Sequence, residues 1–312
     1  MSRARTLFFG SGAFAVPVLE AAVRAPELAL VGVVTAPPRP AGRRGDLSPT
    51  PVALRAASLG VALLVPERLR DPAAVAALGA LAPDVGVLAD YGKILPAPVL
   101  ELPAQGILNL HPSLLPRHRG ASPIPAAILA GDPETGVTLF RMDAGMDTGP
   151  LVAVERTAVG GDEDAPALEA RLAGLAAGLL ARSIGPWLRG ALPAVTQPAA
   201  GATATRPLTR EDGRLDPGLP AVDLERRVRA YRPWPGTFLD LSSGRLGVLR
   251  AAVAPGTAGD VPGTLVAAGR GLALATVAGR LVLLEVQPAG GRPMDAAECR
   301  RGRPGVVGAT VP

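Results

Sequence analysis

The strongest constraint on the fold is a pattern repeated over the first 110 residues: a short apolar run, a turn marked by glycine or proline, then helical spacing. Thr6–Phe9 runs into Gly10-Ser11-Gly12, and from Phe14 to Val23 apolar residues recur three and four positions apart. Leu28–Val34 is a second run. Thr50 before Pro51 is a cap followed by proline at the first helical position, which opens a helix to Leu59. Val61–Val65 is a third run, and Asp71-Pro72 repeats the cap-and-proline signal before a helix to Leu81. Val85–Ala89 and Ile107–Leu110 are strands four and five. Strands alternating with helices require an α/β class with a mostly parallel sheet covered on both faces.

The pattern then changes. Thr135–Met142 and Leu151–Glu155 are two further strands and Ala165–Leu188 a long helix. Gly190–Pro207 is rich in Ala, Pro, Thr and Gly with little periodicity, and reads as a linker. One helix, Pro220–Tyr231, precedes five short β-type runs: Thr237–Leu241, Leu246–Val253, Gly263–Val266, Leu272–Thr276 and Leu281–Val286. Such spacing implies a small barrel or sandwich. The expected division is a domain over 1–189, a linker over 190–208 and a β-rich domain over 209–312.

Composition narrows the class. The chain is 48% hydrophobic and 19% charged, which excludes a disordered polymer. Glycine and proline are abundant but show no three-residue period, so collagen is excluded. A lone cysteine, Cys299, forms no internal disulfide and no cysteine-pair zinc site, and suits a reducing compartment. Met1–Gly10 lacks the apolar run of a signal peptide. Leu172–Leu188 is broken by Arg182, Gly185 and Pro186, too soon to span a bilayer. The expectation is a cytoplasmic protein with no membrane partner.

Charge is uneven. The net charge is +5, yet residues 1–200 carry 17 basic and 17 acidic side chains, while residues 201–312 carry 15 and 10. The surplus in the last third fits a polyanionic partner for that region, or plain solubility charge.

Scarcity points to the chemistry. Of the 32 basic residues only Lys93 is lysine; Asn109 is the sole asparagine, and His111 and His118 are the only histidines. A GC-rich genome explains the bias, but these rare letters all fall between positions 93 and 118. Asn109 and His111 share one face at the carboxyl end of a strand, where open α/β sheets place ligands. An amide donor beside an imidazole suits acyl transfer, because one can bind a developing oxyanion and the other can move a proton. A structural Asn–His pair closing a loop is the plainer alternative. Further on, Asp147 lies in the glycine-flanked segment Arg141–Gly149, which lacks the carboxylates of a calcium loop. There it can orient a histidine and stabilise its charged form, or simply bond its own turn.

Two other segments are ambiguous. Gly10-Ser11-Gly12-Ala13-Phe14-Ala15 has the form of a dinucleotide turn, but the next strand ends at Val34-Thr35-Ala36-Pro37 with no acid for a ribose, so a tight turn is preferred to NAD binding. The loop Ala36–Pro49 carries Arg39, Arg43 and Arg44 and is too long for an ordinary connection; it can clamp phosphates or be a solvated loop.

Together these motifs resemble the folate-dependent formyltransferases. Asn109–Pro116 followed by Arg117-x-Arg119-Gly120 is similar to that family's signature, and Asp143-x-Gly145-x-Asp147-Thr148-Gly149 to its aspartate loop. Arg39–Arg43, Tyr91-Gly92-x-Ile94-Leu95-Pro96 and Gln287–Gly290 resemble the branch that formylates methionyl-tRNA, as does Arg229–Gly236, which sugar formyltransferases share in part. The resemblance runs from Leu7 to about Val307. It implies a Rossmann-like, doubly wound domain followed by an OB-like barrel, and formyl transfer from 10-formyltetrahydrofolate to methionyl initiator tRNA without a metal. It implies Asn109, His111 and Asp147 as catalytic residues, with Asn109 and His111 donating to the oxyanion and Asp147 raising the His111 pKa. It implies folate against Ser113, Leu114, Leu115, Pro116, Tyr91 and Gly92, tRNA contacts from Arg39, Arg43, Arg44, Arg206 and Arg210, and a monomer.

The chain departs from that pattern at His118, Pro125, Gly45, Asp46, Pro150 and Pro217, and Lys93 is assigned no role. Gly45 and Asp46 stand where basic residues are usual, which weakens the arginine loop and shifts the expected tRNA grip towards the basic tail. Three other readings stay open at this point: a sugar-nucleotide formyltransferase, a non-catalytic basic RNA-binding protein, and an NAD-dependent dehydrogenase.

Overall fold

A computed structural model describes residues 2–41 and 46–311. They form two compact units that interleave along the chain. The first comprises residues up to Pro123, Glu134–Ala158 and Leu168–Arg206; the second comprises Ile124–Pro133, Val159–Ala167 and Pro207 onward.

The elements of the first two-thirds are β1 (Ala4–Gly10), α1 (Ala15–Arg24), β2 (Leu28–Val34), a hairpin of β3 (Arg39–Ala41) and β4 (Asp46–Ser48), α2 (Pro51–Ser58), β5 (Leu63–Leu64), α3 (Pro72–Gly79), β6 (Val85–Ala89), α4 (Ala97–Leu100), β7 (Ile107–His111), β8 (Arg119–Gly120), α5 (Pro123–Ala130), β9 (Glu134–Arg141), β10 (Leu151–Ala158), α6 (Ala165–Leu188) and β11 (Ala204–Thr205). Seven strands make one sheet in the order β10-β9-β7-β6-β1-β2-β5. Its β5, β2, β1, β6 and β7 are parallel, and β9 alone runs the other way, antiparallel to both β7 and β10. The expected class is therefore met. Leu7, Phe8 and Phe9 are fully buried, as is most of β6 and β7. Both faces are covered, so these strands read as continuous apolar runs, each large side chain contributing about 1.5–3 kcal/mol.

The chain goes from β1 to β2 and β5 on one side, then returns to β6 and β7 on the other. Connections leaving β1 and β6 diverge at that point, and a crevice opens at the carboxyl ends of the strands. Local signals behave as their chemistry requires. Thr50 Oγ1 accepts from the Ala53 amide at 3.0 Å, a true cap. Pro72 opens α3, but the Asp71 side chain makes no capping bond. The expected strand Val61–Val65 is only Leu63–Leu64, and α5 was hidden by Pro123 and Pro125, which its first turn tolerates.

The linker expectation needs correction. Val195 and Leu151 exchange backbone bonds at 2.7 and 2.8 Å, and β11 pairs in parallel with β8. The stretch lacks periodicity because it is a strap whose partners lie far away in sequence, and not because it is free.

The second unit contains α7 (Ala221–Ala230), β12 (Thr237–Leu241), β13 (Gly244–Ala254), β14 (Leu265–Ala268), β15 (Gly271–Ala275), β16 (Arg280–Pro288), β17 (Met294–Asp295) and α8 (Ala296–Gly302). Its strands are antiparallel in the order β12-β13-β16-β15-β14, with β17 on β16. Among the described residues this hydrogen-bond path is open, without a β12–β14 pair. Leu224 and Val228 of α7 join Leu246, Val248, Leu272, Leu281 and Cys299 in its core. Among the described residues no helix is long and apolar enough to cross a membrane.

Candidate active site

Asn109 and His111 sit on β7, held between β6 and β9; Leu88 pairs with Asn109, and Thr138 with His111. They are 7% and 5% exposed. Among the described residues no protein group hydrogen-bonds the Asn109 amide, although it is not sealed from the surface. A buried amide without a partner is uncommon, and here it leaves a donor facing open space.

His111 is fixed at one nitrogen. Its Nε2 lies 2.9 Å from the His118 carbonyl oxygen. A carbonyl only accepts, so Nε2 carries the proton, and the neutral ring presents a lone pair at Nδ1. Nδ1 lies 3.7 Å from Asp147 Oδ2. His118 supplies only its backbone to this contact, so its side-chain identity does not affect it. Burial pushes the His111 pKa down; Asp147 pulls it up, but less. Asp147 thus acts in the expected direction, but the ring is desolvated more than the carboxylate compensates and the net shift is downward.

Asp147 is held in the left-handed region, at φ +53°. Its Oδ2 accepts from the Gly120 amide at 2.7 Å. The turn is tied internally, since Asp143 Oδ1 accepts from the Gly145 amide at 3.0 Å and from Thr148 Oγ1 at 2.8 Å. Gly149 is demanded by close approach: a Cβ there would lie 1.9 Å from the Arg141 carbonyl oxygen. The structure therefore brings all three proposed catalytic side chains together.

The loop after β7 is braced from within. Ser113 Oγ donates to the Arg117 carbonyl at 2.7 Å, and Thr138 Oγ1 donates to the Ser113 carbonyl while accepting from the Leu115 amide. Ser113 and Leu115 are buried, whereas Leu114 and Pro116 are half-buried. Of the loop residues assigned to folate, Ser113 thus has its hydroxyl turned inward, and Leu114 and Pro116 are the two that stay partly exposed.

Tyr91 and Gly92 lie elsewhere on the same edge. With Ser11, Gly12, Arg39 and Asp90 they line a cavity of about 360 Å3 that includes none of the catalytic trio. The Gly10-Ser11-Gly12 turn closes on its neighbour strand, as the Ser11 and Gly12 amides both donate to the Asp90 carbonyl at 2.9 and 3.2 Å. The Asp90 carboxylate lies against Gly12, at 1.6 Å from where a Cβ would be. Amides so engaged, with a carboxylate above them, cannot cradle a pyrophosphate. Burial raises the Asp90 pKa, and burial together with the Asp90 charge raises that of Glu169 on α6. Neither acid stood out in the sequence. Lys93 Nζ donates to the carbonyls of Pro66 and Glu67 at 3.2 and 2.9 Å, a structural tie.

The arginines are dispersed. Arg39 is exposed on β3, Arg206 ends the first unit, and Arg43 and Arg44 lie outside the described residues. Arg210, in the second unit, has its guanidinium 5.8 Å from the Trp234 ring centre. Among the described residues no group of three or more His, Cys, Asp or Glu could hold a metal ion.

Comparison with known proteins identifies the family. Residues 4–184 match the formyl transferase family and residues 207–304 the formyl transferase C-terminal domain. The fold and the site therefore define a formyl transferase, an enzyme of one-carbon acyl transfer. A methionyl-tRNA formyltransferase from Roseiflexus sp. (strain RS-1) is 48% identical over 299 residues, covering 96% of this chain and 92% of that protein. The chain belongs to the methionyl-tRNA formyltransferase family. Among solved structures, the sugar 3N-formyl transferase WlaRD superposes with TM-score 0.66 at 13% identity, covering 91% of this chain and 98% of that one. HypX from Aquifex aeolicus, solved with tetrahydrofolic acid, gives TM-score 0.63 at 15% identity over 98% of this chain and 48% of its own. These two share the fold.

Proposed function

We propose that this enzyme transfers the formyl group of 10-formyltetrahydrofolate to the α-amine of methionyl initiator tRNA, as a monomer in the cytoplasm and without a metal. The observation that carries the reading is the disposition of Asn109 and His111: a free amide beside a ring whose Nε2–H is already engaged and whose Nδ1 faces Asp147. The folate supplies the formyl carbon. When the amine attacks that carbon, the new C–N bond forms and charge collects on the formyl oxygen. Asn109 donates to that oxygen. His111 donates only through Nδ1, so the ring must first take up the proton lost by the amine, directly or by way of Asp147. Asp147 stabilises the charged ring, and as the bond to the folate nitrogen breaks the proton passes to that nitrogen.

Leu114 and Pro116 offer apolar contact for the folate, with Tyr91 and Gly92 shaping the neighbouring cavity; Ser113 and Leu115 hold the loop. Arg39, Arg43, Arg44, Arg206 and Arg210 serve phosphate contacts, so the KM for tRNA rises with salt. The similarity to a sugar formyltransferase at 13% identity reflects fold alone. The test is transfer of labelled formyl to charged initiator tRNA, with elongator methionyl-tRNA and an amino-sugar nucleotide as competitors and EDTA as a further arm. Label on initiator tRNA alone, unaffected by EDTA, is the expected result. Label on the sugar would overturn the substrate reading.

A further inference from the structure

We infer that Gln197, in the strap between α6 and β11, is a positioning residue for the Asp147 turn. The inference rests on Asn109, His111 and Asp147 being the catalytic trio. Gln197 is 8% exposed and uses its whole amide. Nε2 donates to the carbonyls of Asp147 and Gly149, both at 2.8 Å. Oε1 accepts from Arg119 Nε at 3.1 Å and from Arg119 Nη2 at 2.7 Å. A reversed amide would set NH2 against guanidinium and oxygen against two carbonyls, so the four bonds admit one orientation.

The amide thus joins two loops that carry the site. On one side is a turn whose Asp147 occupies a left-handed backbone that persists only where its surroundings hold it. On the other is Arg119, next to the Gly120 amide that fixes Asp147 Oδ2. The same strap reaches further. Thr203 Oγ1 accepts from the His118 amide at 2.8 Å, beside the carbonyl that fixes His111. Thr205 Oγ1 donates to the Arg119 carbonyl at 2.9 Å and accepts from the Ser122 amide at 3.0 Å. Positions 195–205 therefore set the distance between carboxylate and imidazole without touching either ring or reacting atom.

A residue that merely balances the Arg119 charge would be replaced with advantage by glutamate. A residue that holds the Asp147 turn would not, since glutamate has no hydrogens to give to the two carbonyls. The experiment compares Q197E and Q197M with wild type and with D147N, measuring kcat, KM for both substrates and the titration of the histidine rings by NMR. The chain has only two histidines, so two ring signals are to be assigned. The charges acting on His111 are those of Asp147 and His118. Both Gln197 variants are expected to lower kcat about tenfold to a hundredfold, the loss an ångström of misplacement brings, with KM within about twofold. In Q197M, which adds no charge, the His111 midpoint should fall, because the carboxylate that lifts it has withdrawn. Wild-type kcat in Q197E, or lowered kcat in Q197M with an unmoved His111 midpoint, overturns the inference. Q197E keeps the Arg119 contact and side-chain length, so the question stays answerable if Q197M does not fold. Undiminished activity in D147N would instead overturn the trio itself.

Discussion

The carboxyl edge of the sheet carries two regions built on opposite terms. Beyond β7, the loops are tied down: Ser113, Thr138, Gln197 and Thr203 each engage backbone groups that flank the trio. Between β1 and β6 the strand ends part around a cavity of about 360 Å3, and what sits there is a desolvated acid, Asp90, with Glu169 behind it. The first holds a few atoms to a narrow tolerance, which bond-making requires. The second offers room, which a large substrate requires. Under the proposed function, rigid chemistry and adaptable binding fall to different strand ends of one sheet.

The sharpest way to break this contrast is at the trio. N109A, H111A and D147N should each lower single-turnover formyl transfer at least about a hundredfold, in line with the roughly 2.7–4 kcal/mol lost with an oxyanion donor. Near-wild-type rates in any one would remove that residue. Next comes the turn itself. G149A places a Cβ against the Arg141 carbonyl and should cost about 1–3 kcal/mol in denaturant unfolding. An unchanged midpoint would show the β7 side to be looser than described. T203V removes the acceptor for the His118 amide, worth about 1 kcal/mol, or about 2–4 °C in Tm, and should slow turnover less than any trio variant.

The smallest effect lies on the cavity side. Burial raises the Asp90 pKa, so the folded state disfavours its ionised form. Wild type then gains stability relative to D90N as pH falls through the raised pKa towards 3.8, the ordinary value. D90N should melt slightly higher than wild type at pH 7, and the gap should close near pH 4. A gap independent of pH would mean that the Asp90 carboxyl is well solvated after all.

Much of this was legible in the chain, for identifiable reasons. β6 and β7 announce themselves because both their faces are buried, and Asn109 and His111 because a sequence poor in polar letters keeps them at a strand end. Asp147 is legible as a turn carboxylate, but not its distance from His111, which depends on 35 intervening residues. The sign of the His111 shift was not legible either, since it is set by how completely the surroundings exclude water. Gln197 is not legible, because its partners lie 48 to 78 residues away and its own neighbours look like a linker. The same scarcity that exposed Asn109 applies to it, for the chain has only three glutamines.

The strap also orders events during synthesis. A nascent chain extending only to Leu188 already holds Asn109, His111 and Asp147, and all seven strands of the sheet. It still lacks Gln197, Thr203 and Thr205, so the Asp147 and Gly149 carbonyls are without the side-chain amide that joins them to Arg119, and the turn keeps only its own ties and the Gly120 amide. Domains form as the chain emerges, and the sheet can therefore assemble many residues before the enzyme becomes competent. A fragment cut at the end of α6 should fold around its sheet yet turn over poorly, whereas one cut after Arg206 keeps the reacting groups in register.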